Sequence, residues 1–400
     1  MRVLLGAFGD PGHAFPTIAL ACALHARGHT VCVQTWERWR EHVEAEGITF
    51  AAAPEYHVFP TRERPLKPYA AVVLATSDTR PLVRDFAPDV VVADVLTLAP
   101  ALAAELEGVR VATLIPHVDP RPAPGFPPYS VGARLPRTAL GRRLWKRADG
   151  LMARGLEHGR CELNETRRRL GLAPLDHVHG GISRGLVLVG TFPQLEYPRP
   201  GGPPPGTAVV GPLQWQPPAE EVELPPGDAP LVLVAPSTSQ DPEHHLLRAA
   251  LEGLADAPVR VLATSNRRRL IPAVSVPPNA RLVEWVSYAR TMPHCDVVVC
   301  HAGHGTVVRA LSSACVVVAA PAAGDMNENA ARVDWAGAGV RIPRRLVSPR
   351  SVRLAVNRAV SEPALCARAR ELAAWAAAHP AGPRAAELLE AYVAAPHGTA

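Results

Sequence analysis

Two groups of residues in this chain have the types and spacing to do chemistry. The first is Asp296-Val-Val-Val-Cys300-His301-Ala-Gly303-His304-Gly305-Thr306, an apolar run that breaks at once into a His/Gly turn. Val307, Val308, Ala310 and Leu311 follow as the first turns of a buried helix. A strand feeding a helix through such a turn aims backbone N–H groups and the positive end of a helix dipole at one spot, which favours an anion. Gly303 and Gly305 open the backbone to close approach, Thr306 adds a hydroxyl, and His301 can donate a proton or carry charge. The pattern predicts a diphosphate cradle, although an ordinary tight turn has the same outline. The second group is His13, in the loop 9–16 past the first strand, with Asp94 closing the apolar run 90–93. An acid at the end of a buried strand, beside a loop histidine, holds the imidazole in one tautomer and stabilises its protonated form. Capping roles for either residue explain the same positions.

These side chains need elements to hold them, and the chain supplies two halves with one rhythm. Strands are predicted over 3–8, 30–35, 89–93 and 110–115, with helices over 17–26 and 98–106. The rhythm restarts with strands over 231–235, 260–264, 296–300 and 316–319, and helices over 243–255, 305–313 and 327–336. Such alternation means βαβ units and parallel sheets. Between the halves, 198–206, Gly211-Pro212 and 217–226 are too rich in Pro and Gly for helix or central strand, and read as a semi-rigid linker. The fold class is therefore α/β: two doubly wound, Rossmann-like domains facing across a cleft, over 1–197 and 229–380, joined by a linker over 198–228 and followed by a C-terminal helical segment over 381–400. Ligands of such sheets bind beyond the strand ends where strand order reverses. Gly6, Gly9 and Gly12 there imitate a dinucleotide fingerprint, but the spacing is not G-x-G-x-x-G, and Pro11 removes a donor that phosphates need.

Composition narrows the classes. The chain has 400 residues, of which 48% are hydrophobic and 20% charged, so it can bury large cores. Its net charge of +5 is modest, and the arginine runs 167–169 and 267–269 lack interleaved aromatics for stacking bases, so no nucleic acid partner is expected. The seven cysteines form no C-x-x-C pair, which fits a reduced, cytoplasmic protein with no structural zinc. No uncharged apolar stretch approaches the ~20 residues that span a bilayer. No concentrated basic–apolar helix is apparent either, so no membrane partner is expected.

Together, Gly12-His13-x-x-Pro16, the Pro/Gly linker, Trp285-Val286, the 301–306 turn and Pro321-x-x-Gly-Asp325-x-x-x-Asn329-Ala-Ala-Arg332-Val333 span nearly the whole chain. In that order they resemble the GT-B nucleotide-sugar glycosyltransferases of family 1, and within them the bacterial enzymes that decorate macrolides, polyketides and other secondary metabolites. The resemblance implies an N-terminal acceptor domain, a C-terminal donor domain and a final helix returning to the first. It implies that His13 is the general base of an inverting transfer and Asp94 its partner. The diphosphate of a UDP- or TDP-sugar would meet His301, Gly303, His304, Gly305 and Thr306, without a metal or other cofactor. Ser237 and Thr238 would add phosphate hydrogen bonds or cap the 243–255 helix. Trp285 and Val286 match the nucleobase position, although Trp285 alone is equally a core tryptophan. Asp325, Met326 and Asn329 match the donor-sugar region.

Two departures bear on the donor. Met326 stands where many relatives have Gln, which implies a sugar lacking a hydroxyl there or one reached by Asn327 or Glu328. Arg309 stands where plant relatives have a ribose-binding Glu. On the acceptor side, Phe59, Tyr69, Phe126 and Tyr129 lie in irregular, Pro-rich segments where they could line an apolar pocket for a small-molecule acceptor. Ordinary loop packing explains them as well. A monomer or a homodimer fits. An NAD-dependent oxidoreductase and a non-catalytic nucleotide-sugar-binding partner of another transferase are the alternative readings.

Overall fold

The apolar runs become strands because unbroken aliphatic and β-branched stretches such as Leu231–Ala235 and Val297–Cys300 are covered on both faces, as parallel sheets require. The computed structural model describes residues 1–56, 68–237 and 241–396. Its first sheet contains β1 (Arg2–Gly6), β2 (Thr30–Thr35), β3 (Thr49–Ala52), β4 (Val90–Asp94), β5 (Arg110–Ile115), β6 (Leu186–Val189) and β7 (Thr207–Val209), in the order β3-β2-β1-β4-β5-β6-β7. The second contains β8 (Leu231–Ala235), β9 (Arg260–Thr264), β10 (Ala280–Val283), β11 (Val297–Cys300), β12 (Val316–Ala319) and β13 (Gly339–Arg341), in the order β10-β9-β8-β11-β12-β13. All pairings are parallel. Strand order therefore reverses between β1 and β4, and again between β8 and β11.

Helices α1 (Pro11–Ala26), α2 (Arg40–Ala45), α3 (Pro68–Phe86), α4 (Leu98–Leu106), α5 (Ala139–Lys146) and α6 (Asp149–Arg169) accompany the first sheet. The second has α7 (His245–Gly253), α8 (Tyr288–Thr291), α9 (His304–Ser312), α10 (Met326–Trp335), α11 (Pro349–Ser361) and α12 (Pro363–Ala378). The last helix, α13 (Ala381–Ala394), buries Ala381, Ala385, Ala386 and Leu389 in the first sheet's core beside Ile18 and Leu24 of α1.

Beyond the additional strands β3, β6, β10 and β13, three differences from the sequence reading matter below. The loop expected over 9–16 ends early, because Pro11 suits the first position of a helix, where its missing N–H has no partner to lose. His13 thus rides the first turn of α1. The linker expected over 198–228 gives up Thr207–Val209 to the edge of the first sheet, a position where prolines on either side cost no ladder bonds. Finally, α5 is a basic–apolar helix with no buried side chain. Among the described residues no helix is long and apolar enough to cross a membrane.

The two halves are clasped by a buried ionic group. Arg332 of α10 is 3% exposed and donates to Glu328 Oε1 at 2.7 Å and to the Leu195 carbonyl at 3.0 Å. Its guanidinium lies 3.6 Å from the centre of the Tyr197 ring and 3.4 Å from Glu196. Arg332→Ala should cost about 3–5 kcal/mol in urea unfolding, because Glu328 stays buried without its counter-charge. Adding Glu328→Gln should restore part of that loss, and equal stability of wild type and Arg332→Ala would show that the clasp carries no load.

Candidate active site

His13 and Asp94 meet because β1 and β4 are neighbours at the first reversal, with Gly6 opposite Ala93. The turn before α1 is fixed by Trp39 Nε1, which donates to the Gly9 carbonyl at 2.7 Å. His13 Nδ1 and Asp94 Oδ1 are 2.8 Å apart, with the carboxylate fully buried. Asp94 Oδ2 also accepts from the Phe8 amide at 3.3 Å. An imidazole that donates from Nδ1 keeps its lone pair on Nε2, the form a base needs. Burial disfavours a charged His13, but the hydrogen bond and charge of Asp94, with Asp10 and Asp325 beyond, outweigh it and raise its pKa.

The sequence reading missed His117. It stands just past the end of β5, as His301 does past β11, and that shared placement is the signal that could have found it. Its ring centre lies 5.9 Å from that of His13 and 6.4 Å from that of His304. His117 Nδ1 donates to the Val118 carbonyl at 2.8 Å, so its Nε2 carries the lone pair. Burial holds its pKa below the ordinary histidine range. The Tyr129 hydroxyl is 3.5 Å from His117 Nδ1. Asp325 is exposed, and its charge reaches His13, His117 and Tyr129. The cleft thus gathers His13, Asp94, His117 and Tyr129 from one half with His304 and Asp325 from the other.

At the second reversal, Cys300 lies opposite Ala235, which brings His301 beside the loop after β8. The Ser237 amide donates to His301 Nδ1 at 2.7 Å, leaving Nε2 to face Asp241 at 3.3 Å. Asp241, also unforeseen, caps the start of α7 by accepting from the His245 and Leu246 amides, both at 3.0 Å. Its pKa is lowered by His301 and those amides against the opposing effect of burial. In α9 the first backbone bond runs from Val307 to Gly303, so the His304, Gly305 and Thr306 amides lack partners within the helix. Ala302, just before, has a left-handed φ of 60° and is fully buried.

Several assigned residues do other work. Asn329, expected at the sugar, is 2% exposed and donates to the Ala302 carbonyl at 3.0 Å, bracing the strained turn from below. Phe126, expected at the acceptor, is buried against Tyr197 with ring centres 5.7 Å apart. Its Pro-rich segment folds back onto the clasp between the halves. Tyr69 opens α3 beneath Arg169, 4.7 Å from its ring centre. Met326 is half-buried against the second core. Trp285 is 37% exposed, one face under Arg267, while Val286 is buried. Arg309 is half-buried, and burial lowers its pKa. Phe59 and Thr238 lie outside the described residues. Gly6 and Gly9 serve packing, since a Cβ there would stand 2.3 Å from Pro100 and 2.0 Å from Trp36. Neither is a glycine for phosphate approach, which leaves Gly12, where a Cβ would meet nothing within 4 Å, without the two companions a dinucleotide fingerprint needs.

His304 is set between the halves, with Nε2 3.4 Å from the Gly190 carbonyl. Its Nδ1 makes no hydrogen bond, although Asn329 lies near enough to favour the charged ring. Burial, aided by His117, pushes its pKa down to about 3. The unfolded chain then takes up a proton below about 6.5 that the folded one refuses until about 3, so stability falls with pH across that window. The slope from this group is about 1.4 kcal/mol per pH unit. His304→Asn should flatten the acid limb of a stability–pH curve, and an unchanged limb would contradict the assignment.

Known proteins match this frame along its whole length. The chain is 30% identical to 4'-demethylrebeccamycin synthase of Lentzea aerocolonigenes, over 98% of this chain and 99% of that one. The chain belongs to the family 1 GT-B glycosyltransferases of bacterial natural-product type. A profile of the C-terminal domain of erythromycin biosynthesis protein CIII-like proteins matches residues 248–392 of this glycosyltransferase. It is 28% identical to O-mycaminosyltylonolide 6-deoxyallosyltransferase of Streptomyces fradiae, over 98% of this chain and 97% of the relative. The fold is shared by the calicheamicin glycosyltransferase CalG4, with a TM-score of 0.74 and 22% identity over 100% of both chains. It is shared also by the glycosyltransferase VinC in complex with dTDP, at a TM-score of 0.72 and 20% identity over 98% and 99% of the two chains.

Proposed function

We propose that this enzyme moves a sugar from a TDP-sugar to a hydroxyl of a small apolar natural product, inverting the anomeric carbon, with His13 as general base. The 2.8 Å contact of His13 with buried Asp94 carries the reading. The acceptor hydroxyl gives its proton to His13 Nε2 as its oxygen bonds to the anomeric carbon. The bond from that carbon to the diphosphate oxygen breaks, and the thymidine diphosphate leaves with the electron pair. Asp94 stabilises the imidazolium that forms. The amides of His304, Gly305 and Thr306, with the α9 dipole, face the growing negative charge on the leaving group and do so without a metal ion. Trp285 offers an exposed ring for the thymine, and Asp325 accepts from sugar hydroxyls.

TDP is preferred to UDP because VinC, which shares the fold, is known as a complex with dTDP. Thermal unfolding with TDP, UDP, GDP and NAD tests the donor site. A ligand at about 100 times its Kd adds roughly 2.7 kcal/mol to the folded state. TDP is expected to give the largest shift, and a larger one from UDP would reverse the base assignment. Stabilisation by NAD alone would overturn the donor site itself. The anomeric configuration of the product, read by NMR, tests inversion.

A further inference from the structure

Leu140, Leu144 and Leu151 are 68%, 54% and 74% exposed, high values for large aliphatic side chains lying so near one another in sequence. Between α5 and α6, Arg147 and Ala148 both keep right-handed helical dihedrals with bonds three residues back to Leu144 and Trp145, so the chain continues in the same hand through one tighter turn. At about 100° per residue, with about 120° at the two junction steps, Leu140, Leu144 and Leu151 then fall within about 60° of one another. Arg143, Arg147 and Arg154 form a second stripe, centred about 60° to one side of the first.

The outward direction is fixed independently. A Cβ on Gly125 would stand 3.4 Å from the Arg142 carbonyl oxygen, so the Arg142 side of α5 rests on the body of the protein. Leu140 and Leu144 are two residues either side of Arg142, which turns them to the opposite face. Between Arg137 and Arg154 the sequence has six cations, Arg137, Arg142, Arg143, Lys146, Arg147 and Arg154, against one acid, Asp149. Arg143, Arg147 and Arg154 are exposed, and among the described residues none of the three makes an ion pair.

We propose that the α5–α6 stripe docks this protein on an anionic lipid surface, with the leucines in the headgroup–acyl boundary and the arginines on lipid phosphates. Exposed leucines flanked by arginines that make no ion pair among the described residues match what an anionic lipid interface takes up. The connection that carries His117 and Tyr129 runs directly into α5, so docking would hold the acceptor half against the lipid.

The test is co-sedimentation of the full chain with vesicles of phosphatidylcholine alone and of phosphatidylcholine containing phosphatidylglycerol. Binding is expected only to the second kind, and to weaken as salt rises. Each arginine contributes about fivefold to such binding, so Arg143→Ala/Arg147→Ala/Arg154→Ala should weaken it roughly a hundredfold. Leu140→Ser/Leu144→Ser/Leu151→Ser should abolish it. Both variants should keep the wild-type melting curve and the TDP-induced shift, because the altered side chains are exposed and remote from the donor helix. Wild type that fails to bind the acidic vesicles, or binds both kinds alike, overturns the proposal. Stripe-dependent self-association or capture of an acidic protein, without vesicle binding, overturns it too. Because the readout needs no turnover, failure here leaves the transferase reading untouched, and failure of that reading leaves this one standing.

Discussion

His13→Ala is expected to lower kcat by about 10²–10⁴-fold, the usual contribution of a positioned base, while the TDP-induced thermal shift stays as in wild type. The split separates catalysis from donor binding, since His13 lies on α1 and the amides proposed to meet the phosphates lie on α9. The pH profile adds a second check. A His13 that acts as the proposed base must be neutral, and its raised pKa then puts the acid limb of kcat/KM above the ordinary histidine value of 6.5. Asp94→Asn removes the charge that raises that pKa, so the limb should move toward lower pH while the maximal rate falls. A limb that stays in place would mean that another group titrates. Sign also distinguishes this histidine from His304. A raised pKa contributes stability that is fully present below the unfolded value and lost as pH rises through the folded one. His304, held neutral, acts in the opposite direction.

Gly303→Val is the second large effect, expected to weaken TDP binding at least about a hundredfold, or about 2.7 kcal/mol, with little change in stability. Gly303 has φ −57° and ψ 135°, an ordinary conformation for any L-residue. A Cβ there would meet no protein atom within 4 Å. Nothing inside the fold therefore demands glycine at the mouth of α9, and the demand is assigned to the diphosphate. Isothermal titration with TDP measures it. Wild-type affinity in the valine variant would remove the diphosphate from this turn.

Much of this was legible in the sequence because buried parallel strands leave a loud signal. The runs 231–235, 260–264 and 316–319 appear as strands with the expected bounds. Once the strands are placed, the reversal points follow, and His13, Asp94 and His301 stand at their ends. Where local and tertiary demands part, the reading failed. The stretch 9–16 reads as a loop after the first strand, yet a proline at the first helical position starts α1 under His13. Asn329 fits a sugar-binding pattern in sequence, but only the fold shows Ala302 above it needing a donor. Phe126 looked like pocket lining because irregular Pro-rich chain has no period from which burial can be read. His117 lies in the same kind of chain, and only its place just past β5, matching that of His301 past β11, marks it.

The clasp around Arg332 sets a rule for building hybrids from related enzymes. A crossover within 198–228, where composition invites one, leaves α10 with one parent and its landing site, Leu195 to Tyr197, with the other. Chimeras cut there inherit an arginine without its intended berth. A crossover upstream of Phe192 carries the berth along with the C-terminal half, so interchangeable C-terminal modules in this scaffold begin earlier in the chain than its proline-rich seam suggests.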